Sequence, residues 1–156
     1  MVCYISFFIS MMFIVGMVYF NTEVYNNNTI QNYKNQLPPE LKDIYEKITQ
    51  ERIKIYYQGY AFGLSLSLGI IIYNYKIKKE KLSLFSMICI VLATSFVTNY
   101  FYYILSPKTD WMLNHITDPY QVKVWLIMYN NMQKYYHTGL LLGLISVVIL
   151  AIAFRC

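Results

Sequence analysis

The chain has 156 residues, of which 57% are apolar and only 13% charged. A soluble domain carries about 25% charged residues, so the composition argues against a soluble enzyme and against a disordered chain, and leaves an integral membrane protein. The net charge of +5 does not mark a nucleic-acid binder: Lys76, Lys78, Lys79 and Lys81 crowd one turn between two apolar runs, and short cytoplasmic loops are enriched in basic residues in this way.

Residues 1–20 contain no charged side chain. Twenty helical residues cross about 30 Å of hydrocarbon. A basic n-region and a small-residue cleavage site are both missing, so the segment reads as an uncleaved signal anchor. Residues 21–37 are polar and Asn-rich and read as loop. They include one N-x-T sequon at Asn27, a potential glycosylation site.

A helix is expected from the prolines at 38 and 39, because proline suits the first helical turn. Leu41, Ile44, Tyr45, Ile48, Ile55 and Gly59 share one face, and Lys42, Asp43, Glu46, Lys47, Glu51 and Lys54 lie on the other. No breaker precedes the apolar run at 55–75. One helix from 39 to 75 would be roughly 55 Å long and would outrun the bilayer core by about 25 Å.

After the basic turn 76–81, residues 82–105 form a third apolar run that ends in aromatics, as membrane boundaries prefer. Residues 106–118 read as loop. Asp118 and Pro119 then make an N-cap and a helical start, with Gln121 at the capping-box position. A helix from there to about 154 passes from an apolar stalk, containing Val122, Val124, Trp125, Leu126, Ile127, Met128, Tyr129 and Met132, into a fourth apolar run. That stalk is too apolar to stand alone in water. It is expected to pack on Leu41, Ile44, Tyr45 and Ile48, or to lie flat at the headgroups.

Sliding the chain by 80 residues superposes Pro39 on Pro119, Lys54 on Lys134, Tyr56 on Tyr136, Gly59 on Gly139, Gly63 on Gly143 and Leu64 on Leu144. Each half also has a membrane helix, a polar segment, a proline-led helix, a double tyrosine and a G-x-x-x-G. The expected fold is therefore all-α: a single membrane domain over 1–156, a four-helix bundle of two parallel-topology helical hairpins. The repeats cover about 1–75 and 82–154 and are joined by the turn 76–81, with helices 2 and 4 projecting beyond the bilayer. Gly59, Gly63, Gly139 and Gly143 mark helix contacts, either between helices 2 and 4, with one element of a partner, or as general relief of packing. Both termini are expected on the cytoplasmic side with the basic turn.

The candidates for chemistry are few. Cys3, Cys89 and Cys156 are odd in number, lack a CxxC and read as buried or membrane-embedded thiols. His137 fits a hydrogen-bonding role at the headgroup boundary better than a proton relay. Asp110, His115 and Asp118 are metal-ligand types at no recognised spacing, and a solvated loop explains them. Asn99 and the hydroxyls of the third run can satisfy themselves or a neighbour. Helix interiors 1–20, 60–75, 83–105 and 138–154 lack charge, which counts against a pump or coupled transporter. No catalytic, cofactor-binding or metal residue is assigned, and no enzyme activity is expected.

The segments LPPELKDIYEKITQERIKIYYQGYAFGL and DPYQVKVWLIMYNNMQKYYHTGLLLGL resemble small multi-pass membrane proteins encoded by giant DNA viruses. The abundance of Tyr, Phe, Ile, Asn and Lys, all with AT-rich codons, fits such genomes and equally ciliate, apicomplexan and organelle ones. The resemblance implies a structural component of a viral internal membrane or envelope, in a virion or host membrane. Its expected partners are the lipid bilayer, other membrane or capsid-layer proteins, and further copies of itself, with no nucleic acid and no cofactor. The alternatives are an accessory subunit of a large organellar membrane complex and a small channel or transporter.

Overall fold

A computed structural model describes residues 3–79 and 82–155. Lys81 of the basic turn and Cys156 lie outside the described residues. Five α-helices follow one another: α1 (Tyr4–Asn26), α2 (Asn28–Gln36), α3 (Pro39–Tyr73), α4 (Leu84–Leu105) and α5 (Pro119–Ala153). Four helices are long and apolar enough to cross a membrane, with α2 continuing the first of them. The chain is thus an all-helical protein with four candidate transmembrane helices.

The spans run up and down in turn. Phe85 at the start of α4 stacks on Phe154 just past α5, with ring centroids 4.1 Å apart. The Cys3 amide donates to the Ala153 carbonyl at 3.0 Å, which ties the start of α1 to the end of α5. Both chain ends and the basic turn therefore share one end of the bundle. α1 packs along α5, and α3 along α4.

The interior and the shell invert the pattern of a soluble protein. Ser10, Ser67, Ser95, Asn99 and Ser146 are buried, while Ile5, Phe8, Met12, Leu68, Phe101, Leu141 and Val148 face outward. Hydrocarbon solvates the large apolar side chains as well as a core does, so small and polar residues take the helix contacts. The Ser10 hydroxyl donates to the Ser146 carbonyl at 2.8 Å, joining α1 to α5.

The polar segment 21–37 is helical where loop was expected. α1 runs on to Asn26, and Asn27 breaks it and caps α2: its Oδ1 accepts from the Thr29 amide at 2.8 Å. Val24, Ile30 and Tyr33 are buried on one side of this stretch, and that burial outweighs the poor helix propensity of its asparagines.

At the end opposite the termini, Ile30, Tyr33, Tyr45, Ile48, Met112, Ile116, Trp125 and Met128 form one apolar cluster, the head. Tyr33 sits between Tyr45 and Trp125, with centroids 6.0 and 5.7 Å away. The expected two-helix stalk is therefore an arrangement of four elements. α2 and the 3-10 turn Met112–Asn114 contribute to it, and Leu126 and Ile127 stay 49% and 52% exposed rather than packing on α3.

The expectation of three free thiols also fails. Cys89 is free, but Cys3 is disulfide-bonded.

Two outcomes follow. Oxidised protein should run faster than reduced protein on a denaturing gel, and Cys3→Ser should abolish the difference. Trp125→Ala should cost the head about 3–5 kcal/mol, the range for deleting a buried large aromatic. In hydrogen exchange, amide protection should then fall across 28–36 and 119–128, while α1 and α4 keep theirs.

Candidate functional site

Each G-x-x-x-G meets the span that flanks it. On α3, a Cβ added at Gly59 would lie 2.5 Å from Asn99 Oδ1, and one at Gly63 would lie 2.8 Å from the Ser95 Cα of α4. On α5, a Cβ at Gly139 would lie 3.0 Å from Asn21 Oδ1, and one at Gly143 would lie 2.7 Å from Met17 Sδ of α1. The four glycines thus do not join α3 to α5. They let α4 and α1 approach, and an asparagine covers the first glycine of each pair.

Where these contacts end, a cavity of about 20 Å³ opens between all four spans. It is lined by Asn21 and Met17 of α1, Tyr56 and Tyr60 of α3, Phe96, Asn99 and Tyr100 of α4, and Tyr136 and Leu140 of α5. Asn99 is 4% exposed. Among the described residues its Oδ1 has no hydrogen-bond partner, contrary to the expectation that it satisfies itself or a neighbour. The Tyr56 hydroxyl donates to that of Tyr60 at 3.3 Å. Tyr56, Tyr100 and Tyr103 surround Tyr136, and Tyr100 stacks on it at 5.8 Å. The Tyr100 hydroxyl and His137 Nδ1 lie 3.3 Å apart, with His137 exposed. No single tyrosine stood out in this tyrosine-rich sequence. The available signal was the recurrence of the doublets Tyr56–Tyr57 and Tyr135–Tyr136 just ahead of the glycines.

A second polar cluster fixes the loop 106–118 on α3. Glu51 accepts the Thr109 amide at 2.9 Å, and Arg52 donates to the Asp110 carbonyl at 2.6 Å while lying over the Trp111 ring. The Asp110 carboxylate holds His115 Nε2 at 2.7 Å and accepts the Trp111 amide at 2.8 Å. The Lys108 ammonium caps the end of α4 by donating to the carbonyls of Tyr103, Ile104 and Ser106. Asp118 caps α5 through the Tyr120 amide at 3.2 Å. Asp110 and His115 are brought together and Asp118 is used elsewhere. Among the described residues no group of three His, Cys, Asp or Glu could hold a metal ion.

The remaining sequence candidates fall as follows. Lys76, Lys78 and Lys79 are exposed at the end of the bundle that carries the termini, and Lys79 adopts a left-handed conformation. Asn27 Nδ2, the atom a glycan would occupy, donates to the Tyr135 hydroxyl at 2.8 Å. No family model, curated protein or solved structure matches this chain.

Hydrogen bonding sets the charge states of the loop. The His115 ring and the Trp111 amide hold the Asp110 carboxyl below the usual carboxylate range. The Thr109 amide does the same for Glu51. A depressed carboxyl pKa contributes stability above its unfolded value, about 4, and loses it as pH falls through the folded value. Acidification should therefore free the loop from α3 before the bundle melts. In a Trp125→Phe background, Trp111 emission should report this release, and Glu51→Gln should weaken its pH dependence.

The glycines give a graded outcome. Gly63→Ala would press a Cβ on backbone and should destabilise the bundle, and Gly59→Leu should do so more than Ala61→Leu, since Ala61 is exposed. Gly69 has nothing within 4 Å of an added Cβ. Gly69→Ala should therefore be neutral or stabilise by about 0.5–1 kcal/mol, the helix cost of glycine. Thermal melts in one detergent rank all four.

Proposed function

We propose that this chain is a structural multi-pass membrane protein whose head contacts a protein partner. The reading is carried by the apolar surface that the head leaves uncovered. Tyr120, Leu126 and Ile127 of α5 are 70%, 49% and 52% exposed beside the packed cluster at Trp125 and Met128. Apolar surface outside the spans is costly in water and marks an interaction site. With α3 and α5 each 35 residues long, or about 52 Å at 1.5 Å per residue, their first halves extend past a bilayer that holds the glycine-bearing halves.

The resemblance to giant-virus membrane proteins makes the membrane a viral internal membrane or envelope, and the partner a capsid-layer or membrane protein. An accessory subunit of an organellar complex has the same requirements, and co-purification with virions or with a respiratory complex separates the two. The channel reading draws on the polar cavity alone, which at about 20 Å³ supports a polar joint better than a conduit. A photo-crosslinking residue at position 127, in membranes of the source organism, should trap a protein adduct that the same residue at exposed position 47 does not. Adducts to lipid alone at position 127 would remove the partner from this reading.

The two halves are read as parallel repeats related by a pseudo-two-fold axis. The glycine contacts support this: Gly59 beneath Asn99 has its counterpart in Gly139 beneath Asn21. Tyr56 and Tyr136, which align at the repeat offset of 80 residues, both line the cavity. In the topology that fits the lysine-rich turn, that turn and the termini face the cytoplasm or its equivalent. Strong labelling from outside of a cysteine placed at position 78 would reverse it.

A further inference from the structure

We propose that the outer face of α5 in the head seats an acidic amphipathic helix of the partner protein. This inference rests on the reading that the head contacts a protein, and it names the chemistry of that contact. Tyr120, Lys123, Ile127, Asn130 and Lys134 are all exposed, with Leu126 beside them. Their spacing alternates between three and four residues, so they form one ridge along the helix. A ridge with this spacing is what a second helix packs against. Trp125 and Met128 lie on the other side of α5, in the packed cluster.

The charges of the ridge select the occupant. α5 has no Asp or Glu from Pro119 to Ala153, and α2 beside it has none either. Among the described residues no carboxylate pairs with Lys123 or Lys134, whereas Lys34 of α2 is paired with Glu46. The two lysines lie about 16 Å apart along the axis, on either side of Ile127. A surface that buries Leu126 and Ile127 must also cover these lysines, and covering an ammonium without a counter-charge is costly. An apolar helix therefore fits badly. A helix with Asp or Glu about three turns apart, and apolar residues between them, fits both parts of the ridge. A lipid surface fits worse. α5 runs unbroken from the head into the glycine-bearing span. A face that starts at the bilayer edge and runs outward therefore crosses the headgroup plane, whereas an interfacial helix lies along it.

Full-length protein in lipid nanodiscs, with a photo-crosslinking residue in place of Ile127, is titrated with two synthetic helical peptides. Both carry a leucine stripe, flanked by Glu in one and by Lys in the other. The Glu peptide should form adducts at a roughly ten-fold lower concentration than the Lys peptide, since like charges across an interface suppress the wrong partner. Lys123→Glu combined with Lys134→Glu should reverse that order without changing the melting temperature, because both side chains are exposed. Lys47→Glu combined with Lys54→Glu, exposed on α3, should leave the order as it is. Equal adducts from the two peptides would overturn the proposal, as would an order that survives the α5 reversal or shifts as much with the α3 variant. Phosphatidylserine vesicles that block the adduct where phosphatidylcholine vesicles do not would assign the ridge to lipid and overturn it too. In membranes of the source organism the two claims separate. A protein adduct at position 127 whose yield ignores the α5 reversal removes the acidic helix alone, and the absence of any protein adduct removes the head's partner as well.

Discussion

The bundle depends on how closely α4 can approach α3 and how closely α1 can approach α5. In hydrocarbon no hydrophobic drive pulls helices together, because lipid chains are as apolar as leucine. What remains is dispersion between well-fitted surfaces and hydrogen bonds that have no competing water. Both need short distances. Glycine provides them at positions 59, 63, 139 and 143, where any Cβ would meet a neighbour at 3.0 Å or less. The buried Ser10–Ser146 bond and the stacked tyrosines add attraction only because the backbones are already close.

The head obeys the opposite rule. In the proposed reading, where the head stands outside the bilayer, the cluster at Trp125 holds Tyr33, Tyr45 and Met128 together by the ordinary hydrophobic effect. Its polar fastenings sit at the rim. The Lys34–Glu46 pair ties α2 to α3 at 2.8 Å, and Glu51 with Arg52 ties the 106–118 loop to α3. Exposed pairs of this kind add little stability each. They do set register, since Glu51 and Arg52 bond to the loop backbone at Thr109 and Asp110 and Arg52 also lies over the Trp111 ring. α3 therefore belongs to both regimes, with its first half packed by burial and its second by closeness.

Much of this was legible from residue types. The four apolar runs gave the spans, because sustained lack of charge has few other meanings. Pro119 placed one helix start to the residue, and the prolines at 38 and 39 placed another to within one. The helix 28–36 was not legible as such, because Asn, Gln and Thr dominate it and its buried face rests on Ile30 and Tyr33 alone. The glycine spacing identified a face of each helix but not what lies opposite. A G-x-x-x-G specifies close approach and is silent on the partner, so the choice of α4 and α1 over α3–α5 pairing comes from the whole bundle. The cavity was illegible for the same reason: its lining comes from four helices, and none of Asn21, Tyr60, Asn99 or Tyr136 has meaning without the other three.

The end of the bundle that carries the termini brings two cues into opposition. Lys76, Lys78 and Lys79 favour retention on the cytoplasmic side during insertion. Cys3 is disulfide-bonded at that same end, and disulfides rarely persist in a reducing cytosol. The cues act at different times, since charge decides orientation as the helices enter the bilayer and oxidation follows once Cys3 lies beside the end of α5. A chain oriented by its lysines therefore needs an oxidant on the side where the lysines stay. A chain oriented the other way needs none, but must carry its basic turn across the membrane. The redox state of Cys3 and the orientation of the turn are thus one question, and measuring both on the same membranes tells whether this end is oxidised by its compartment or by a dedicated thiol oxidant.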